Sequence, residues 1–197
     1  IDKDTINGRM RIRGDSSRKD HKKSLKVKYT LNGKLITLNF NAEYSDKSYI
    51  RQYLSSKIMK AANQKCFSSE FTNIYINGNF FGLYLLVENM DTDFLASNSM
   101  PENGDLFKAT KDGACMSLFD NIETDWEKKI GDDKNFDELK NLISNINIIH
   151  DSLFLNFIKS NFNYPDFINM LALNIYLANG STYYHNYYLY RYPNGKW

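Results

Sequence analysis

Polar and apolar residues alternate with period two over residues 9–40. Arg9, Arg11 and Arg13 alternate with Met10 and Ile12 until Gly14 interrupts the run. From residue 24 to 29, Leu25, Val27 and Tyr29 share one face and Lys26 and Lys28 the other, the signature of a half-buried strand. Asn32-Gly33 supplies the positive φ angles of a tight hairpin, and residues 35–40 return as the partner strand. Three antiparallel strands are therefore expected within residues 9–40.

The period then changes. Ile50, Leu54, Ile58 and Met59 recur at helical spacing, with Ser45 or Asp46 as the cap and an end near Asn63. Residues 71–76, the turn Asn77-Gly78 and residues 80–88 form a second hairpin with a long apolar return strand. Residues 91–133 show no period, hold Gly104, Gly113 and Gly131, and suggest at most a short strand at 107–109. From residue 135 the chain turns helical. Phe136, Leu139, Leu142, Ile143 and Ile146 make one stripe, and Leu153, Phe154, Phe157 and Ile158 a second. A third helix starts at Pro165, carries Phe167, Met170, Leu171, Asn174, Ile175 and Leu177, and stops at Asn179-Gly180. Residues 187–191 close as a strand, followed by the turn Pro193-Asn194-Gly195. The pattern is α+β: an antiparallel-sheet lobe over about residues 1–90, then a mostly helical lobe over about 91–197, read as one domain. The order β-β-β-α-β-β is also that of a kinase small lobe.

Composition narrows this little. A length of 197 residues suits one large domain, or a two-lobed domain that is incomplete. Hydrophobic residues at 42% and charged residues at 24% are ordinary for a globular chain. The 14 Tyr and 13 Phe let few residues fill a core. No apolar run approaches the ~20 residues of a membrane helix. No signal peptide is visible, but the sequence begins at Ile1 rather than Met, so that absence says little about location. Cys66 and Cys115 show no metal or redox spacing, and their pairing is left open.

Charge is more informative in its distribution than in its sum. The net +2 argues against a dedicated nucleic-acid binder. Yet residues 9–28 hold Arg9, Arg11, Arg13, Arg18, Lys19, Lys22, Lys23, Lys26 and Lys28 against only Asp15 and Asp20. Such density suits phosphate, and equally a solvated basic strand pair.

Four segments carry candidate chemistry. Arg13-Gly14-Asp15-Ser16-Ser17-Arg18 is a small-residue turn between strands, where converging N–H groups and flanking arginines can cradle phosphate oxygens. Its Arg-Gly-Asp tripeptide is read as chance. Lys22 to Lys28 places lysines on the following strand, where kinases hold nucleotide phosphates and edge strands place gatekeepers. Glu88-Asn89-Met90-Asp91 ends the apolar strand, either as an interlobe crossing or as a plain polar loop. Ser181 to Asn186 lies between helix and strand. A kinase catalytic loop carries an Asp base there and an Asn five positions later; Ser181 occupies the first place and Asn186 the second. His185 reads as a phosphate contact or a satisfied buried histidine. The three histidines, His21, His150 and His185, stand in unrelated contexts, and neither G-x-S-x-G nor G-x-x-x-x-G-K-[ST] occurs.

Together these blocks resemble the CotH family of atypical, secreted protein kinases. Residues 11–18 followed by Lys22-Lys23-Ser24 are similar to its R-G-N-S-S-R…K-K-S-Y signature. Residues 77–91 are similar to N-G-x-x-x-G-x-Y-x-L-x-E-x-x-D, and residues 185–190 to H-N-Y-Y-L-Y. The likeness spans residues 9–197. It implies an atypical kinase-like fold, ATP with Mg2+ or Mn2+ as cofactors, and phosphorylation of Ser/Thr-rich coat or surface proteins. It also implies a location in the spore coat or on the cell surface of an endospore-forming bacterium. It would put Arg13, Gly14 and Ser16 at the phosphates, Lys23 first and Lys28 second as the phosphate lysine, Glu88 at the hinge and Asn186 at the metal.

The sequence departs from that pattern where the chemistry is done. Ser181 stands where family members carry Asp, and a serine is no carboxylate base. Family members continue past the Gly195-Lys196-Trp197 block into a P-W-D-x-D segment with the metal-binding aspartate, which is expected to be missing here. Asp15 replaces an Asn beside the phosphates. The expectation is an impaired kinase domain; the alternative is a non-catalytic structural or binding module.

Overall fold

The computed structural model describes residues 5–110, 114–132, 135–183 and 185–197. The chain divides into two compact units, residues 1–90 and 91–197.

The first unit is built on one five-stranded antiparallel sheet in the order β1-β2-β3-β5-β4. Its strands are β1 (Gly8–Ile12), β2 (Leu25–Leu31), β3 (Lys34–Asn41), β4 (Ser69–Ile76) and β5 (Asn79–Val87). Both hairpin turns are of the I′ kind, with φ of 50° and 80° at Asn32-Gly33 and 51° and 80° at Asn77-Gly78. The register pairs Leu25 with Phe40 and Phe40 with Leu86, so the alternating apolar residues do share a face. Leu25, Ala42 and Tyr84 form its buried core, with Phe40, Tyr44 and Ile74 packed around them.

Helix α1 (Arg51–Ala61) lies on β4, with the Tyr53 and Phe71 rings 5.0 Å apart and the Ser56 and Ser69 hydroxyls bonded at 2.7 Å. It starts later than its sequence suggests. The Asp46 carboxylate accepts hydrogen bonds from the Ser48 N–H at 3.0 Å and Ser48 hydroxyl at 2.6 Å, which holds a turn ahead of the helix. Tyr49 follows at φ 63°. The same carboxylate reaches the Arg51 N–H at 2.9 Å and so still caps the helix. The expected stripe is also corrected: Ile50 and Leu54 are exposed, while Tyr53 and Ser56 face the sheet.

The second unit holds a three-stranded antiparallel sheet in the order β7-β6-β8 and three longer helices. Its elements are α2 (Thr92–Ser97), β6 (Asp105–Ala109), α3 (Ile122–Asp125), β7 (Trp126–Ile130), α4 (Asp137–Ile148), α5 (Asp151–Asn161), α6 (Tyr164–Tyr176) and β8 (Tyr188–Arg191). Phe107, Ala109, Ala114, Trp126, Leu139 and Ile143 form its main core. The expectation of an irregular stretch over 91–133 is overturned by α2, α3 and β7. Strand β7 escaped notice because in Trp126-Glu-Lys-Lys-Ile130 only the two end residues are apolar. Its Lys128 is buried and ion-paired to Asp105 at 2.8 Å. Exposed Ile175 likewise corrects the third helical stripe. Trp197 donates its N–H to the Asn161 carbonyl at 2.8 Å and packs its ring 5.7 Å from Phe107. Among the described residues no helix is long and apolar enough to cross a membrane.

Neither cysteine is in a disulfide; Cys66 is buried and Cys115 exposed. Burial raises the Cys66 pKa to about 11, which suppresses the reactive thiolate. A disulfide-exchange dye at mildly alkaline pH should therefore titrate one thiol in the folded chain and both after unfolding. Two fast thiols in the native chain would contradict the packing around Cys66.

Candidate functional site

The loop between β1 and β2 is shut at its base by the Arg13 N–H donating to the Ser24 carbonyl at 2.9 Å. Ser16–Lys19 form a single 3-10 turn inside it. Gly14 stands at φ +98°, and a Cβ there would lie 2.0 Å from the Ser17 hydroxyl oxygen. Glycine is what lets the chain turn and close on itself at this point. The loop forms one wall of a cavity of about 350 Å³ that Arg13, Gly14, Ser17, Asp20 and Ser24 line. The opposite wall is the segment after β3, with Asn41, Glu43 and Asp46. One hydrogen-bond chain ties the walls to the helix: Arg13 Nη1 donates to Asn41 Oδ1 at 2.5 Å, and Asn41 Nδ2 donates to Gln52 Oε1 at 2.7 Å.

The lysine built most firmly into this region is Lys22. Its ammonium donates to the carbonyls of Ala42 at 2.8 Å and Leu83 at 2.5 Å. It also lies over the rings of Tyr49 and Tyr84, 4.6 and 4.4 Å from their centroids. Burial lowers the Lys22 pKa, with Glu43 opposing. Burial raises the Glu43 pKa and nearby Asp46 adds to it, while the hydrogen bond from Asn41 and the charge of Lys22 oppose. Asp46 is held low chiefly by its hydrogen bond from Ser48, then by the Arg51 N–H. The cavity thus carries both signs of charge.

The other candidate residues are scattered around or away from it. Lys23 bonds the Arg18 carbonyl at 2.6 Å and braces the loop. Lys28 is exposed on β2 and does not line the cavity. Glu88, just past β5, accepts the Ser68 N–H at 2.8 Å and donates its own N–H to the Ser68 carbonyl at 2.9 Å. The side chains of Ser16 and Ser181 lie outside the described residues, as does Tyr184. In the second unit the Ser181 backbone belongs to the 3-10 turn Gly180–Tyr183 after α6. His185 is half-buried. Asn186 is exposed at φ 61°, and its N–H donates to the Ala109 carbonyl of β6 at 3.3 Å.

Sequence reasoning named Lys22 in its basic block but favoured Lys23 and Lys28 over it, missed Asn41 and Glu43, and took Asp46 only for a cap. The available signal was Asn39 and Asn41 interrupting an apolar strand at alternate positions. Among the described residues no group of three His, Cys, Asp or Glu is placed to hold a metal ion.

The comparisons agree with the motif blocks. A family model described as CotH kinase protein matches residues 10–197. Inner spore coat protein H of Bacillus subtilis (strain 168) is 28% identical over 162 residues, covering 78% of this chain. The chain spans 44% of that relative's length. A family match running from β1 to the last residue, through the 13–18 loop and the Asn186 segment alike, shows that the chain belongs to the CotH family.

Proposed function

We propose that this chain is a spore-coat domain of CotH type that binds nucleotide phosphates against the 13–18 loop. Its family-type reaction would be ATP-dependent phosphoryl transfer to the hydroxyls of Ser/Thr-rich coat or surface proteins. The carrying observation is the cavity closed by Gly14, in a conformation a side chain would obstruct, with Arg13 on its wall and Lys22 behind it. The coat location follows from the relative's name and the family match. The order β1-β2-β3-α1-β4-β5 supports a kinase-type small lobe, with residues 91–197 as the second lobe.

Phosphate fits the loop side of the cavity, while the carboxyl groups of Asp20, Glu43 and Asp46 on the same lining would oppose it. Arg13 would pair with phosphate oxygens, and the backbone at Gly14 and Ser17 would approach them closely. Bound ATP would supply the phosphoryl group. Mg2+ or Mn2+ fits less well: Asn186 is neutral, and the described residues do not group three charged or imidazole ligands. The Ser at position 181 favours a second reading, a non-catalytic module of the coat that keeps the fold for assembly.

Calorimetric titration with ATP and magnesium tests the reading. Binding is expected, and Lys23→Ala, which unbraces the loop, should weaken it by about 1–3 kcal/mol, the range for charge-assisted hydrogen bonds. A folded full-length protein that binds no nucleotide would leave the non-catalytic module as the better account.

A further inference from the structure

The first turn of α1 reaches the cavity through one side-chain amide. Asn41, the last residue of β3, accepts from Arg13 Nη1 through its Oδ1, and its Nδ2 donates to Gln52 Oε1 at 2.7 Å. An amide nitrogen carries two hydrogens, and Glu43 also accepts from this one. The orientation of the amide is therefore dictated. A guanidinium has no acceptor, so a turned amide would set N–H against N–H at Arg13 and oxygen against the Glu43 carboxyl. Arg13, Asn41 and Gln52 form a polarised chain that runs from a guanidinium on the cavity wall to a helix. Gln52 itself is not part of the cavity lining.

Holding the helix in place is a separate task, which other residues perform. Tyr53 packs on Phe71 and Ser56 bonds Ser69, and both partners belong to β4 at the far edge of the sheet. The turn that carries Gln52 is itself fixed, because Asp46 accepts the N–H of the preceding Arg51 and also lines the cavity. An arginine with no such support loses its rotamer freedom only when an anion binds. One that is already held has lost it beforehand, and the anion then binds at a lower entropic cost. We infer that Gln52 is a positioning residue for the phosphate contact, fixing Arg13 through Asn41 without touching the ligand, a role that rests on the phosphate reading of the cavity.

Calorimetric titration of the folded chain with ATP tests it in a double-mutant cycle. Gln52→Leu keeps the bulk of the side chain and removes its acceptor. It should weaken ATP by about three- to tenfold, the worth of one net hydrogen bond. In an Arg13→Ala background the same substitution should leave the remaining affinity unchanged, because the chain then has no guanidinium to position. A loss of helix stability alone would weaken ATP equally in both backgrounds. Gln52→Glu gives Asn41 an acceptor again but adds a negative charge. It should bind ATP more tightly than Gln52→Leu, whereas a plain charge effect would give the opposite order. The role is overturned if Gln52→Leu binds ATP like the parent chain, if its loss is the same with and without Arg13, or if Gln52→Glu is the weaker of the two variants. A parent chain that binds no ATP would overturn the phosphate reading and this role together. A parent that binds ATP with no response to Gln52 would overturn the role alone.

Discussion

Replacing Ser181 with Asp in the full-length protein is expected to raise phosphoryl transfer to a Ser/Thr-rich acceptor by about 10²–10⁴-fold, the usual contribution of a positioned general base. The acceptor hydroxyl must lose its proton as it attacks. A serine neither carries the negative charge nor has the basicity to take that proton near neutral pH. Position 181 is the second residue of the turn Gly180–Tyr183 that follows α6, and Asn186 comes five residues later. That is the spacing at which kinases set their base and their amide ligand. The Asn186 N–H bond to Ala109 ties that end of the loop to the central strand β6. A radiolabel transfer assay reads the outcome. Robust labelling by the protein with Ser181 intact would show that another group is the base. No gain from Ser181→Asp, with ATP still bound, would support the non-catalytic reading.

Lys22→Met is expected to destabilise the chain by about 2–4 kcal/mol, through loss of charged hydrogen bonds worth about 1.5–3 kcal/mol each, discounted because one lies near the surface. Methionine keeps most of the apolar stem, so the change isolates the ammonium. That ammonium joins the segment after β3, through Ala42, to β5, through Leu83. Its removal leaves both carbonyls without this donor and ends the contacts with the faces of Tyr49 and Tyr84. The melting temperature should fall by about 4–16 °C for a chain of this size. Lys28→Met, on the exposed face of β2, should change stability by no more than about 0.5 kcal/mol. A Lys22→Met protein as stable as the Lys28→Met protein would remove Lys22 as the anchor of the cavity wall.

The strands and helices that alternate or recur cleanly were legible because each buries one side against one partner. Leu25, Val27 and Tyr29 could only be a strand face, and Leu139, Leu142 and Ile143 only a helix face. The two Asn-Gly pairs specify I′ turns by themselves, since few other residues tolerate positive φ twice in succession. The motif blocks were equally legible and led to the family, because each keeps its residues adjacent in sequence.

Three features depended on the tertiary structure. Strand β7 has almost no pattern of its own; it exists because β6 needs a second partner and Lys128 finds Asp105. Helix α1 starts five residues late because Asp46 spends its carboxylate on a turn before it caps the helix. The cavity joins Arg13 to Asn41, 28 positions apart, and the lysine that braces its Ala42 wall reaches Leu83, 61 positions away. Sequence alone determined the strands of the first sheet and the three longer helices of the second unit, because those choices turn on neighbours a few residues away. Which lysine anchors the site, and which carboxylates face the loop, were decided by strand order and register, which no local pattern encodes.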